Sequence, residues 1–564
     1  MVVVDISFSK LQKMVGKKFT KKQLEENLFE LGAELEHGAG DEIRIDITAE
    51  RPDLVSIQGI ARLLRAYYGL KNPTYKANKP EKNFKVKVDK SVDNIRPVTV
   101  CAIIKNLKFD DDKIKEIIWV QEKLHATFGR NRKKIAIGIY PLEHITLPIF
   151  YKADSPQKIK FRPLEANREM TGKEILEKHP VGKAYAHLIK DLDKYAYFID
   201  SKNNILSMPP IINSEKTGRV TENTKEVFIE CSGHNFTALS HILNILCYLL
   251  QDMGGEIYSV EIDYPNKKII TPLFSPEKRK ISQKFVKDML GEDIDTKTIA
   301  KCLQKTMHKV TKVEKESVSF EVPPIRADIW HDVDIADDVL RGYGVNKIKP
   351  TIPNVATTGN VLYENKMKKT ITELMVGLGF QEIFTLSLTN KEDQYIKMNV
   401  PVKNHIPLGS TVEQSISMVR TDLLPEAMKL LMNNRNKEYP QKIFEISHVV
   451  EPNKKADVRS NNVLHMSCLI ADTRANFTEI KQQFDRLMKL IGVKYEGKEV
   501  EHPSFISGRV AKATVNGVDV AYFGEINPQV ITNFGLEMPV SGFELNLTEL
   551  FKEMKLENKI IRKL

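Results

Sequence analysis

Residues 326–344 read RADIWHDVDIADDVLRGYG, and residues 51–69 read RPDLVSIQGIARLLRAYYG. An offset of about 275 positions lays Arg51-x-Asp53 on Arg326-x-Asp328 and Tyr68-Gly69 on Tyr343-Gly344. The same offset aligns Gly16 with Gly291 and puts Leu24 and Leu28 opposite Ile299 and Leu303. The alternating run Ile43, Ile45, Ile47 falls on Val318, Phe320, Val322. A period this long exceeds the solenoid repeats and marks a duplicated domain. The copies differ in their acids: where the second has Asp334, Asp337 and Asp338, the first has Gly59, Arg62 and Leu63. Shared positions read as scaffold, so the extra carboxylates are expected to form a site rather than hold the fold. On a helix they stand at i, i+3 and i+4. Like charges this close repel unless a cation lies among them, and a hard divalent ion, Mg²⁺ above all, takes oxygen ligands. An acidic first turn favoured by the helix dipole is the competing reading.

Composition bounds the rest. A chain of 564 residues, 41% hydrophobic and 28% charged, has core enough for about three to five domains. No apolar run reaches the roughly 18 residues of a membrane span. The opening MVVVDISFSK lacks the basic start and cleavage site of a signal peptide and is expected to be a strand. Five cysteines are scattered without a C-x-x-C pair, so neither a zinc site nor a disulfide framework is indicated, and a reducing cytoplasm fits. The net charge of +11 suits a polyanion such as RNA, although no aromatic-interleaved basic motif accompanies it.

These patterns predict an α+β multidomain chain in four segments. The first copy and a Pro/Lys/Asn-rich linker occupy 1–83. An α/β stretch over 84–272 carries the strands PVTVCAIIKNL and KIAIGIY and the helices IKEIIWVQEKLHATF and FTALSHILNILCYLL. The second copy covers 273–350. The remainder, 351–564, opens with the amphipathic helix YENKMKKTITELMVGLG, ended by Gly377 and Gly379. Strands follow, EIFTLSL, KIFEISHVV, VLHMSCLIA and RVAKATVNGVDVAYFGEI, which is an antiparallel-sheet layout.

Taken in order, RADIWHDVDIADD through GYG, LSMPPIINSEKTGRVT, QEKLHATFGRNRKKIAIGIY, KIFEISHVV and YFGEINPQVI resemble the β subunits of phenylalanyl-tRNA synthetase of the archaeal and eukaryotic-cytosolic type. The resemblance covers essentially the whole chain. It implies an α₂β₂ heterotetramer in which an α subunit is the partner, ATP is consumed and tRNA specific for phenylalanine is charged. It also implies Mg²⁺ at Asp328, Asp334, Asp337 and Asp338, in company with the α subunit and with one or two of the acids not binding directly, and the absence of an inserted oligonucleotide-binding domain and a C-terminal anticodon-binding domain.

The last segment is then expected to be a class II synthetase-like antiparallel-sheet domain without catalytic motifs. That fold holds ATP with one arginine on an R-x-E strand and another in a Gly-rich motif. Here the strand reads Lys442-Ile443-Phe444-Glu445, and Val540-Ser541-Gly542-Phe543-Glu544-Leu545 has neither the glycines nor the arginine. Without guanidinium groups nothing balances the charge developing on the α-phosphate.

An apolar phenylalanine pocket excludes tyrosine by only about 10²-fold, so a second, hydrolytic site is the general remedy. The resemblance places such an editing site for Tyr-tRNA in 84–272. It assigns catalytic positions to His125, Ser207, Glu230 and Ser232, and tRNA contacts to Arg130 and Arg132, whose guanidinium groups suit phosphates. Simpler readings exist for each: a structural histidine, solvated arginines, turn chemistry at Ser207. Glu230 and Ser232 also depart from the Asp and Thr that archaeal relatives tend to carry. A cytoplasmic editing and scaffolding subunit is thus expected, with a non-catalytic interaction protein derived from it as the alternative.

Overall fold

The computed structural model describes residues 2–38, 40–411, 413 and 415–554, and divides after Ile352 into two compact units. Within the first unit the duplication is visible in topology. The first copy is a three-stranded antiparallel sheet with Glu42–Ile47 between Val2–Ser7 and Ala33–His37, and the second has Ser317–Val322 between Glu277–Ser282 and Lys309–Val313. Both central strands are those with the strongest alternation, and Ile43, Ile45, Ile47, Val318, Phe320 and Val322 are all buried. Period-two burial of this kind fixes register, because a one-residue slip would turn every one of these side chains to the other face. Each copy then starts a helix with a serine whose side chain accepts a backbone N–H, Ser7 before Phe8–Val15 and Ser282 before Gln283–Leu290. Each helix closes on a left-handed glycine, Gly16 at φ 76° and Gly291 at φ 74°, where a side chain would be strained.

Between the copies lies an eleven-stranded sheet. Its main path runs from Ile212–Asn213 and Ile205–Met208 at one end, through Glu256–Tyr264, to Val227–Gly233 and Ile135–Pro141 at the other. The apolar helix Phe236–Asp252 is buried all round from Ile242 to Leu250, as its hydrophobicity there requires. The linker after the first copy is strapped down rather than free. Tyr75 stacks on Tyr248 at 3.7 Å between ring centroids, and Ala77–Asn78 adds a short parallel strand to Glu256–Tyr264.

The second unit is a seven-stranded sheet, antiparallel except where Gln381–Glu382 pairs parallel with Gln441–Pro452. Strands Phe505–Val515 and Val518–Ile526 join through Asn516 (φ 50°) and Gly517 (φ 88°), two left-handed residues that match a hairpin's twist. The predicted strand EIFTLSL is not continuous. Only Gln381–Glu382 and Leu388–Thr389 are paired, and Phe384 and Leu386 are 82% and 70% exposed. Its alternation is real, but no element of the described unit covers its apolar face.

Candidate active site

The two ends of the large sheet come together around a cavity of about 440 Å³. Its floor comes from Ile135–Pro141 and Val227–Gly233, one wall from the helix Asp111–Ala126, and the other from Ser207 to Asn213. Hydrogen bonds bridge the two ends. The Tyr140 hydroxyl lies 3.4 Å from the Asn213 side-chain oxygen, and Arg132 Nη1 donates to the Ile211 carbonyl at 2.9 Å.

Glu230 is the most unusual group here. It is 1% exposed, and its Oε1 accepts from the Tyr140 hydroxyl at 3.1 Å, while Oε2 has no partner. Burial pushes the carboxyl up to about 8, against the smaller opposing effects of Tyr140, Arg96 and Ser232. Since Oε1 is an acceptor, the proton held at neutral pH belongs on Oε2, the unpartnered atom. Ser207 also lines the cavity, buried, and its hydroxyl makes no hydrogen bond of good geometry to the nearby Tyr140 phenol. Two buried polar groups without partners are costly to leave so, and native interiors rarely do. Gly138, directly across the ladder from Glu230, makes the arrangement possible, because a Cβ there would overlap the Tyr140 hydroxyl and crowd the Glu230 carboxyl.

The other expected residues divide. His125 lines the cavity, but its Nε2 accepts the Ile137 N–H at 2.8 Å and its Nδ1 faces Glu122 at 3.3 Å. Both nitrogens are engaged and burial holds the ring below its ordinary pKa, so His125 positions Glu122 and is not a free base. Glu122 in turn accepts from Arg132 Nη2 at 2.7 Å, and the Arg132 guanidinium lies 4.4 Å from the Tyr185 ring. Arg132 is therefore a fixed wall of the cavity. Arg130 is exposed and does not line it. Arg130, Asn131 and Arg132 are three successive non-glycine residues at positive φ, a turn that costs about 1–2 kcal/mol per residue. Ser232 does not reach the cavity either: its hydroxyl accepts from Arg96 Nε at 3.2 Å, and its carbonyl from Nη2 at 2.6 Å. Tyr140, Glu122 and Arg96 were not legible as site residues in the sequence. The one signal was Gly138 inside an otherwise apolar strand, the mark of a close approach.

The four acids of the second copy do not converge. Asp328 forms a two-pronged pair with Arg326 at 2.8 and 2.7 Å, as Asp53 does with Arg51 at 2.9 and 2.8 Å. Asp338, 2% exposed, takes Arg326 at 2.9 Å and His308 Nε2 at 2.7 Å. Although burial opposes it, the Arg326 charge and the His308 bond hold Asp338 well below the usual carboxylate range. Asp334 accepts the N–H groups of Trp330 and His331, both at 2.7 Å, at the start of the helix Asp332–Tyr343. Asp337 pairs with Arg341 at 2.6 Å, and Arg341 also donates to the Leu31 carbonyl of the first copy. Asp328 and Asp338 thus share Arg326, Asp334 and Asp337 have partners of their own, and among the described residues no three His, Cys, Asp or Glu side chains gather to hold a metal. The donor set does not fit a Mg²⁺ ion held by these four carboxylates. The offset shows what the extra acid does within this chain: Ala33 and Leu63, both in the first copy's core, correspond to His308 and Asp338, so an apolar pair is replaced by a hydrogen-bonded one.

In the second unit Ile443 is buried in the core. The guanidinium beside its strand belongs to Arg420, fully buried and bonded to Glu445 at 3.0 Å and Thr385 at 2.9 Å. It is not available to a nucleotide. Among the described residues no helix is long and apolar enough to cross a membrane.

Three family models match parts of the chain. Residues 1–70 match the family model for the Phe-tRNA synthetase beta subunit B1 domain, 279–345 the tRNA synthetase B5 domain, and 348–547 the phenylalanyl tRNA synthetase beta chain CLM domain. The phenylalanine–tRNA ligase beta subunits of Thermococcus sibiricus and Pyrococcus abyssi are each 38% identical, over 97% of this chain and 99% of theirs. That of Archaeoglobus fulgidus is 37% identical over 98% of this chain and 99% of its own. Among solved structures, an N-terminal fragment of the phenylalanyl-tRNA synthetase beta subunit from Pyrococcus horikoshii superimposes with a TM-score of 0.57 at 37% identity, covering 61% of this chain and 99% of the fragment.

Proposed function

This chain belongs to the family of phenylalanine–tRNA ligase beta subunits, and we propose on that premise that its 440 Å³ cavity hydrolyses tyrosine mistakenly attached to tRNA specific for phenylalanine. The observation that carries the reading is the pair of buried, unpartnered polar groups, Glu230 Oε2 and Ser207 Oγ, in one cavity. A tyrosyl group brings a phenol oxygen that satisfies them, whereas a phenylalanyl group leaves them unpaired. A site built to bond a hydroxyl rejects the analogue lacking it by roughly 10⁴-fold. Protonated Glu230 donates from Oε2 to the phenol oxygen while Tyr140 holds Oε1. A water then adds to the ester carbonyl carbon, and the ribose oxygen leaves with a proton, giving free tyrosine and intact tRNA. The exposed Arg130, on its left-handed turn beside Arg132, is free to contact a tRNA phosphate outside the cavity, which supports the reading.

Amino-acid activation belongs to a partner α subunit on this reading. The second unit is a class II synthetase-like module, inert because Ile443 and Arg420 are both buried in structure. The uncovered Phe384 and Leu386 suit a protein partner, as exposed apolar patches do. Assembly into an α₂β₂ tetramer and consumption of ATP by the α subunit, in the cytoplasm, complete the proposal. The test is reconstitution. The full chain alone should give no phenylalanine-dependent ATP–pyrophosphate exchange, the mixture with the α subunit should, and a mixture carrying Glu230→Ala should accumulate Tyr-tRNA. Exchange by this chain alone, or no accumulation in the variant mixture, overturns it.

A further inference from the structure

The second unit holds a separate cavity of about 230 Å³, between the strands Ser460–Ala471, Val518–Ile526 and Val540–Asn546 and the start of the helix Leu424–Asn433. We propose that it binds a small zwitterion of the α-amino-acid type. His465 Nδ1 donates to Glu544 Oε1 at 2.8 Å, and the Glu544 carboxylate also accepts the N–H groups of Leu423 at 2.9 Å and Leu424 at 3.0 Å. Burial opposes charge on both partners. Their mutual bond still holds Glu544 below its ordinary value and His465 above its own, which favours the ionised pair. That leaves the His465 Nε2–H of an imidazolium buried, without a partner, in a residue that lines the cavity. It requires an acceptor, and an anionic oxygen is the strongest.

Lys403 and Asp422 also line this space as an ion pair 3.6 Å apart, and burial together with the nearby Glu544 charge raises the Asp422 carboxyl above its ordinary value. A simple anion would meet the Glu544 and Asp422 carboxyls, and a simple cation would meet His465 and Lys403. A molecule carrying a carboxylate beside an ammonium satisfies both sets. Met398, Val400, Leu424, Phe505 and Val520 give it an apolar wall for a side chain. The space is below the roughly 300–1,000 Å³ of sites for drug-sized ligands, which limits the occupant to one small molecule.

Calorimetric titration of the full chain with L-leucine, L-methionine and L-phenylalanine tests this. At least one should bind, and its N-acetyl and methyl-ester forms should bind about tenfold or more weakly, since each loses a charged hydrogen bond. His465→Asn keeps a donor for Glu544 but deletes the Nε2–H, and should weaken binding by about tenfold or more. Val400→Trp fills the cavity without touching the ion pair and should abolish binding. Circular dichroism verifies that both variants fold. No binding by any of the three, equal binding of the blocked forms, or wild-type binding by both variants overturns the proposal.

Discussion

Replacing Glu230 by glutamine should stabilise the N-terminal unit, and by an amount that depends on pH. In the folded chain the carboxyl is pushed from 4.5 up to about 8, chiefly by burial. The folded state therefore keeps a proton that the unfolded chain releases above pH 4.5, and the wild type loses stability as pH rises through that interval. At about 1.4 kcal/mol per pH unit, the interval from 4.5 to about 8 amounts to about 5 kcal/mol. Glutamine has no proton to lose, and its side-chain oxygen can still accept from Tyr140. The difference in unfolding free energy between Glu230→Gln and wild type should be near zero at pH 4, grow steadily to about 5 kcal/mol near pH 8, and then stay level. Urea unfolding at a series of pH values, fitted to the transition of the N-terminal unit, measures it. A difference that does not change between pH 4.5 and 8 would refute the assignment of a buried, protonated carboxyl.

Two further outcomes follow from named contacts. Gly138→Ala places a methyl against Tyr140 and Glu230, so it should cost about 1–3 kcal/mol of stability and slow Tyr-tRNA deacylation, both measurable on the purified chain. The acids of the second copy should rank by partner rather than act together. Asp338→Asn should cost about 3–5 kcal/mol because it strips a buried arginine of one partner, Asp334→Ala about 1 kcal/mol as a lost capping acceptor, and the half-exposed Asp337→Asn no more than about 0.5 kcal/mol. Urea unfolding with and without Mg²⁺ checks this; a common Mg²⁺-dependent loss in all three would restore the metal reading.

What the sequence revealed and what it hid have physical causes. The duplicated scaffold was legible because alternation and left-handed glycines are local: Ile43, Ile45, Ile47 and Gly16 carry their meaning in a few residues each. Glu230 and Ser207 were reachable through resemblance, and the fold brings them together. Tyr140 was hidden because its role depends on pairing between Val227–Gly233 and Ile135–Pro141, strands about 90 residues apart. His125 was misread because a helix histidine gives no sign that a backbone N–H of the next strand will occupy its Nε2. The partners of the acids were hidden for a related reason. Aligned positions revealed that Leu63 had become Asp338, but the compensating change of Ala33 to His308 lies about 30 residues away and completes a pair only in three dimensions. Ser232 sits two residues from Glu230 on the same strand face, yet Arg96, from a distant segment, occupies it.

The most direct test is the rate at which the full chain deacylates Tyr-tRNA and Phe-tRNA made on the same tRNA specific for phenylalanine. Wild type should hydrolyse the tyrosyl ester at least about 10²-fold faster, and Glu230→Ala should lower the tyrosyl rate by about 10²-fold or more while leaving the phenylalanyl rate as it was. Equal rates on the two esters, or a tyrosyl rate in Glu230→Ala matching wild type, would contradict it.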